Sequence, residues 1–169
     1  MRDDYQKMLD RTADEMTRYY SGDPARIGHF LKVHSLAARI GREEGLPEDT
    51  QFILELAALT HDIGIKAALE LYGSAAGKYQ EFEGPGLAGE MLSDIGVDPD
   101  RIDRVCWLIS RHHTYVDIDD NMDYRILVES DALVNIGEEN WSPEAVAGFR
   151  EKVFDTDTGK RILTEIYPD

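Results

Sequence analysis

The stretch Phe52-Ile-Leu-Glu-Leu-Ala-Ala-Leu-Thr-His61-Asp62 decides how this chain of 169 residues folds. Residues 52–60 are almost all apolar, and the pattern predicts a buried helix. His61 and Asp62 follow directly. Two side chains able to bind a metal are therefore predicted to lie at the end of a core helix and to face the elements that pack against it. A site at this position needs further ligands from distant parts of the chain.

Composition narrows the class of protein. The length suits one domain with a full core, expected over residues 1–169, and 42% hydrophobic with 31% charged residues is ordinary for a soluble globular chain. No apolar run reaches the ~20 residues of a membrane helix, and residues 1–6 lack the apolar stretch of a signal peptide. The single cysteine, Cys106, excludes an internal disulfide framework and fits a cytoplasmic location.

The charge balance argues against two classes of partner. With 18 basic and 34 acidic residues the net charge is −16, and general binding to nucleic acids or anionic membranes needs basic patches instead. A small phosphorylated substrate stays compatible with this charge, because a bound metal ion and a few local cations reverse the field inside one pocket. The sequence carries no signal for an oligomeric state.

The apolar spacing predicts an all-α domain, a bundle of about seven to nine helices, without strands. An N-terminal helix lies within residues 1–22 and C-terminal helices within residues 138–169. A Gly-rich connection, 73–84, and an acidic loop, 114–123, lie between helices and are natural substrate gates. The helices are predicted over residues 3–20, 24–44, 47–61, 65–72, 85–95, 99–113, 124–137, 143–154 and 158–167.

Two polar residues are predicted to face the core. His29 shares a helical stripe with Val33, although a histidine in such a place is more often a hydrogen-bonded core residue than a ligand. Asp131 has apolar neighbours three and four residues away, so its carboxylate is predicted to be buried. A buried carboxylate is costly unless it is paired, hydrogen-bonded or bound to a metal. Glu129 points off this face and is predicted to be solvated.

The order of these residues resembles that of the HD superfamily of metal-dependent phosphohydrolases. The resemblance spans roughly residues 23–137 and implies a bundle of the HD-domain type, in which His29, His61, Asp62 and Asp131 bind a divalent metal between helices. Two imidazoles and two carboxylates suit a first-row ion such as Mn²⁺ or Fe²⁺. The residues that carry the match lie in Arg26-Ile-Gly-His29, Thr60-His-Asp-Ile-Gly-Ile-Lys66 and Glu129-Ser-Asp131.

The number of metal ions, one or two, remains open at this point. Family members similar to the symmetrical dinucleoside tetraphosphate hydrolases add histidines, one opening a His-Gly-Pro stretch and one ending an Ile-x-x-His stretch. This chain has Glu83-Gly-Pro at the first place and Ile-Ser-Arg-His112 at the second. Glutamate binds hard metals but also suits a helix N-terminus. Candidate ligands of a second metal are therefore His112, Glu83 and the adjacent His113.

The resemblance implies hydrolysis of a nucleotide or another small phosphate ester by metal-activated water. Asp62 or Glu83 would steer the proton of the nucleophile, and Lys66 would neutralise developing charge. Lys66 and Arg111 are the candidate substrate contacts, and both also suit ordinary surface charges. His34 is predicted to lie outside the ligand set. Two alternatives stay open: a di-iron oxygenase with the same type of ligands, and a non-catalytic module that binds a metal or a nucleotide.

Overall fold

The chain folds into an all-α bundle, as predicted, in a computed structural model that describes residues 2–116 and 121–168. These two ranges contain nine helices and no strand, and none of the helices in them is long and apolar enough to span a bilayer. Residues 117–120 of the predicted acidic loop lie outside the described residues. The helices are α1 (Arg2–Tyr19), α2 (Pro24–Glu43), α3 (Glu48–Thr60), α4 (Gly64–Tyr72), α5 (Gly77–Ile95), α6 (Pro99–Ile109), α7 (Met122–Glu138), α8 (Pro143–Lys152) and α9 (Asp157–Ile166).

Helices α3 and α7 form the centre of the bundle, and both are buried on nearly every side. Residues 52–54 and 56–60 of α3 are buried, and so is the continuous run 123–134 of α7. Helix α2 packs against both, and α6 covers another side of α3. The end of α3, the second turn of α2 and the middle of α7 meet in the interior.

Local capping explains where several helices begin. The side chain of Asp23 accepts a hydrogen bond from the backbone N–H of Arg26, and Ser142 accepts one from Ala145, while a proline occupies the first turn of each helix. These side chains satisfy N–H groups that have no partner inside the helix.

The predicted Gly-rich connection over residues 73–84 is wrong for most of its length. Helix α5 begins at Gly77 and continues through Pro85, so only residues 73–76 join it to α4. A Cβ atom added at Gly64 would lie 2.8 Å from the backbone nitrogen of Gly84, which shows how closely α4 and α5 approach. This packing stabilises α5 despite the missing N–H of the proline.

The predicted end of α6 at residue 113 is also wrong. The helix ends at Ile109, and turns carry the chain through residues 110–114. His112 and His113 therefore lie in a turn, where adjacent side chains need not diverge by the ~100° that separates neighbours on a helix.

Glu129 is buried, not solvated as predicted. Its carboxylate accepts hydrogen bonds from the backbone N–H groups of Asp155 and Thr156 and from the hydroxyl of Thr156, next to the N-terminus of α9. The helical pattern of α7 shows which face Glu129 occupies. Only the fold shows that the start of α9 packs on that face and supplies the donors that a buried carboxylate requires.

Candidate metal centre

The fold brings the four predicted metal ligands to one point. His29 comes from α2, Asp131 from α7, and His61 with Asp62 from the residues that end α3. Each of the four is at most 5% exposed. Nε2 of His29 lies 3.3 Å from Nε2 of His61, 3.1 Å from Oδ1 of Asp131 and 3.1 Å from Oδ2 of Asp62.

In three histidines, a hydrogen bond made by Nδ1 orients the ring so that Nε2 points into the site. Nδ1–H of His61 donates to the carbonyl oxygen of Ala58 at 2.7 Å, and Nδ1–H of His112 donates to that of Ile109 at 2.6 Å. Nδ1 of His29 lies 2.9 Å from a carboxylate oxygen of Glu138, to which it donates. We assign these tautomers from the acceptors present. Nε2 of each ring then faces the interior, as metal-binding imidazoles do.

The histidines and aspartates at the centre shift one another's pKa values. Burial lowers the pKa of His29, but the carboxylates of Asp131 and Asp62 outweigh burial and raise that pKa to about 11. The pKa of His61 is also raised, because the same two carboxylates outweigh its burial. Burial raises the pKa of each aspartate, but the histidines outweigh it and hold both pKa values below their usual range. These pKa shifts favour protonated imidazoles beside ionised carboxylates when no metal is bound.

A second group of candidate ligands lies beside the first, and Asp62 contacts residues of both. Nε2 of His112 is 3.6 Å from Oδ1 of Asp62, and the ring of His113 lies 3.9 Å from that of His112. The side-chain amide of Gln80 donates to the carbonyl of Ala75, so its oxygen faces Nε2 of His113 at 3.1 Å and accepts from it. Burial lowers the pKa of His113 to about 4, so this ring is neutral at physiological pH.

These residues fit divalent first-row metal ions. One group that could hold an ion consists of His29, His61 and Asp131, and the other of Asp62, His112 and His113. Nε2 of His112 is buried and has no hydrogen-bond partner among the described residues. An unsatisfied polar atom costs about 1–3 kcal/mol, which a metal bound to this nitrogen would offset. Neutral imidazoles with carboxylates are the donors that such ions prefer.

Three other predicted site residues have partners outside these two groups. Oε1 of Glu83 accepts a hydrogen bond from the hydroxyl of Tyr72 at 2.7 Å. The ammonium group of Lys66 lies 5.2 Å from the ring centre of Tyr19, and the guanidinium group of Arg111 lies 4.7 Å from that of a tryptophan. Their roles stay predictions. His34 lies elsewhere, with Nε2 3.0 Å from a carboxylate oxygen of Glu55.

Three residues at the site were missed in the sequence, and helical spacing points to two of them. Arg26 precedes His29 by three residues and so shares its face of α2. One of its terminal nitrogens lies 3.9 Å from Oδ2 of Asp62. Glu138 follows Asp131 by seven residues, two turns along α7, and reaches His29. Gln80 had no such signal, because its helix was not predicted.

Comparisons with known proteins agree with this fold. The family described as HD domain matches residues 26–154 of the chain. The crystal structure of an HD-superfamily hydrolase from Bacillus thuringiensis is similar, with a TM-score of 0.59 and 18% identity over 96% of this chain and 89% of that one. A similarity at this level of identity concerns the fold alone. No curated protein sequence matches the chain.

Proposed function

The chain belongs to the HD-domain family, and from this premise we propose that it is a metal-dependent phosphohydrolase acting on a nucleotide or another small phosphate ester. The observation that carries the proposal is the convergence of His29, His61, Asp62 and Asp131 in one buried place. Nε2 of each of these histidines lies 3.1–3.4 Å from the other and from an oxygen of each aspartate. A divalent first-row ion such as Mn²⁺ or Fe²⁺ bound by these residues would supply Lewis acidity and an activated water.

We infer that the site takes two ions. The free Nε2 of His112 and the neutral ring of His113 face Asp62, whose second carboxylate oxygen is turned toward the first group. Asp62 would therefore contact both ions. Glu83 would join this second set by releasing the hydroxyl of Tyr72.

Asp62 is better suited to orienting water than to removing its proton. The neighbouring histidines keep the pKa of Asp62 far below that of a base effective at neutral pH, despite the opposing effect of burial. Its ionised oxygens still accept hydrogen bonds, so the carboxylate would hold a nucleophilic water in place. This role refines the proton-steering function that the sequence suggested for Asp62.

Arg26 is the cation best placed to contact a phosphoryl group. Its side chain is 31% exposed and its guanidinium group lies 3.9 Å from Asp62, so it stands between solvent and the ligands. Its Nε is buried and without a hydrogen-bond partner among the described residues. Lys66 and Arg111 would have to leave their aromatic partners to reach the same place, and we propose them as contacts to outer parts of a substrate.

The test is phosphate release by protein that has been stripped of metal and then reloaded with Mn²⁺, Fe²⁺ or Zn²⁺. Substrates would include nucleoside mono-, di- and triphosphates, dinucleoside polyphosphates and simple phosphomonoesters. We expect metal-dependent turnover that His61→Ala abolishes and the matched control His34→Ala retains. Turnover that persists in His61→Ala, or a metal-loaded protein that cleaves no phosphate compound, would overturn the proposal.

The two adjacent groups of candidate ligands also suit one alternative function, a di-iron oxygenase. These two groups, with Asp62 3.1 Å from His29 of one and 3.6 Å from His112 of the other, would equally hold a pair of iron ions for oxygen chemistry. Loading with Fe²⁺ without air, followed by addition of O₂, distinguishes the cases: an oxygenase consumes O₂ with a change in its optical spectrum and releases no phosphate. A non-catalytic module would bind metal or nucleotide and turn over neither kind of substrate.

A further inference from the structure

Glu138 contacts the outer nitrogen of one proposed metal ligand. One of its carboxylate oxygens lies 2.9 Å from Nδ1 of His29, and the other accepts a hydrogen bond from the ammonium group of Lys32 at 3.3 Å. Glu138 is the last residue of α7, whereas His29 and Lys32 lie one turn apart on α2. The carboxylate therefore links the two helices beside the metal centre while its side chain remains 34% exposed.

His29 depends on this carboxylate in a way that the other histidines do not. His61 and His112 donate from Nδ1 to backbone carbonyls three residues earlier in the chain, so their rings are oriented by local backbone. The corresponding acceptor for His29 is a side chain 109 residues away. Loss of that side chain leaves Nδ1–H without its acceptor and the ring free to turn Nε2 away from the other ligands.

We propose that Glu138 is a positioning residue that orients His29 for metal binding and makes its Nε2 a stronger donor. This inference rests on the proposed metal centre but not on the reaction performed there. A carboxylate that accepts from a metal-binding imidazole fixes the ring and raises its basicity, and losing such a partner weakens metal binding by about 10–100-fold. Glu138 itself would contact neither metal nor substrate.

Metal affinity is the primary test. Metal-free wild type, Glu138→Ala and Glu138→Gln would be titrated with Zn²⁺ and Mn²⁺ in competition with a chelator of known affinity, at one pH. Glu90→Ala, which removes an exposed carboxylate from α5, controls for the loss of one negative charge. We expect about 10–100-fold weaker binding in Glu138→Ala, a smaller loss in Glu138→Gln because its amide oxygen still accepts, and no more than a twofold change in Glu90→Ala.

A spectroscopic measurement separates orientation from loss of structure. In the ¹⁵N-labelled, Zn²⁺-loaded protein, Nδ1–H of His29 should give a downfield, slowly exchanging proton signal that Glu138→Ala lacks. Thermal unfolding of the metal-free variants reports whether the fold is intact, and Glu138→Gln keeps the test available if the alanine variant is unstable. Wild-type affinity in Glu138→Ala, or a loss equal to that of Glu90→Ala, would overturn the inference.

These measurements distinguish failure of the role proposed for Glu138 from failure of the proposed phosphohydrolase activity. If wild type binds metal and the Glu138 variants bind it less tightly, the inference stands even when no phosphate compound is cleaved. If wild type binds neither Zn²⁺ nor Mn²⁺, the metal centre and the role of Glu138 fall together.

Discussion

Metal binding should release protons, and the affinity should therefore rise with pH. The pKa of His29 in the metal-free protein is raised to about 11 by the carboxylates of Asp131 and Asp62, which outweigh its burial. The ring is thus protonated at neutral pH, and its Nε2 must lose a proton before it binds a metal. One proton displaced corresponds to about tenfold tighter binding per pH unit, or about 100-fold between pH 6.5 and 8.5. The raised pKa of His61 adds to this dependence in the same direction.

Calorimetry measures the number of protons directly. Zn²⁺ would be titrated into metal-free protein in buffers that differ in ionisation enthalpy, since the apparent heat then changes by that enthalpy for every proton released. We expect at least one proton per metal at pH 7.5, fewer in His29→Asn, and the wild-type number in His34→Asn. No proton released, together with an affinity that stays flat from pH 6.5 to 8.5, would refute the reasoning.

Three further predictions concern individual side chains. Glu129→Ala removes the acceptor of two backbone N–H groups just before α9, of which that of Thr156 is buried and that of Asp155 part-buried. At about 1–3 kcal/mol for each group, the free energy of unfolding should fall by about 3 kcal/mol, or about 6–12 °C in melting temperature. Gly64→Ala forces a methyl group against the backbone of α5 and should cost about 1–3 kcal/mol in chemical denaturation. The control Gly86→Ala meets no atom within 4 Å and should stabilise α5 by up to about 1 kcal/mol. Arg26→Gln should raise KM for a phosphorylated substrate by about tenfold or more, as expected for a lost charge-assisted hydrogen bond, without weakening Zn²⁺ binding.

Each of these predictions has a contradicting result. Unchanged melting of Glu129→Ala would show that its hydrogen bonds do not hold α9. Equal effects of Gly64→Ala and Gly86→Ala would contradict the close approach of α4 and α5. A loss of metal affinity in Arg26→Gln, with KM unchanged, would assign Arg26 to the metal centre instead of the substrate.

The local sequence was sufficient for most helices and for the burial of the candidate ligands. Periodicity and capping reveal features that lie within one or two helical turns. These features are the cap at Asp23, the apolar run before His61 and the apolar neighbours of Asp131. The same pattern predicted that His29 and Asp131 face the core, and both are buried. Even Arg26 and Glu138 stand at helical spacing from a ligand.

Two predictions from local sequence patterns were wrong, and packing between helices explains both. The glycines within residues 73–84 indicated a loop, but the contact of Gly84 with Gly64 stabilises a continuous α5. Glu129 lies on a face that α9 covers, so its carboxylate is buried against donors far along the chain. Such contacts depend on how elements cross in space, which no window of neighbouring residues contains.

By itself, the sequence determined an all-α chain with two metal-capable residues, His61 and Asp62, at the end of its core helix. Only the tertiary structure decided that Nε2 of His29 and Oδ1 of Asp131 lie 3.3 and 3.2 Å from Nε2 of His61. It also decided that the two carboxylate oxygens of Asp62 lie 3.1 Å from His29 and 3.6 Å from His112. The physical reason is that residue types and their burial follow from local periodicity, whereas distances between ligand atoms follow from the crossing of α2, α3 and α7 and from the hydrogen bonds that rotate each ring.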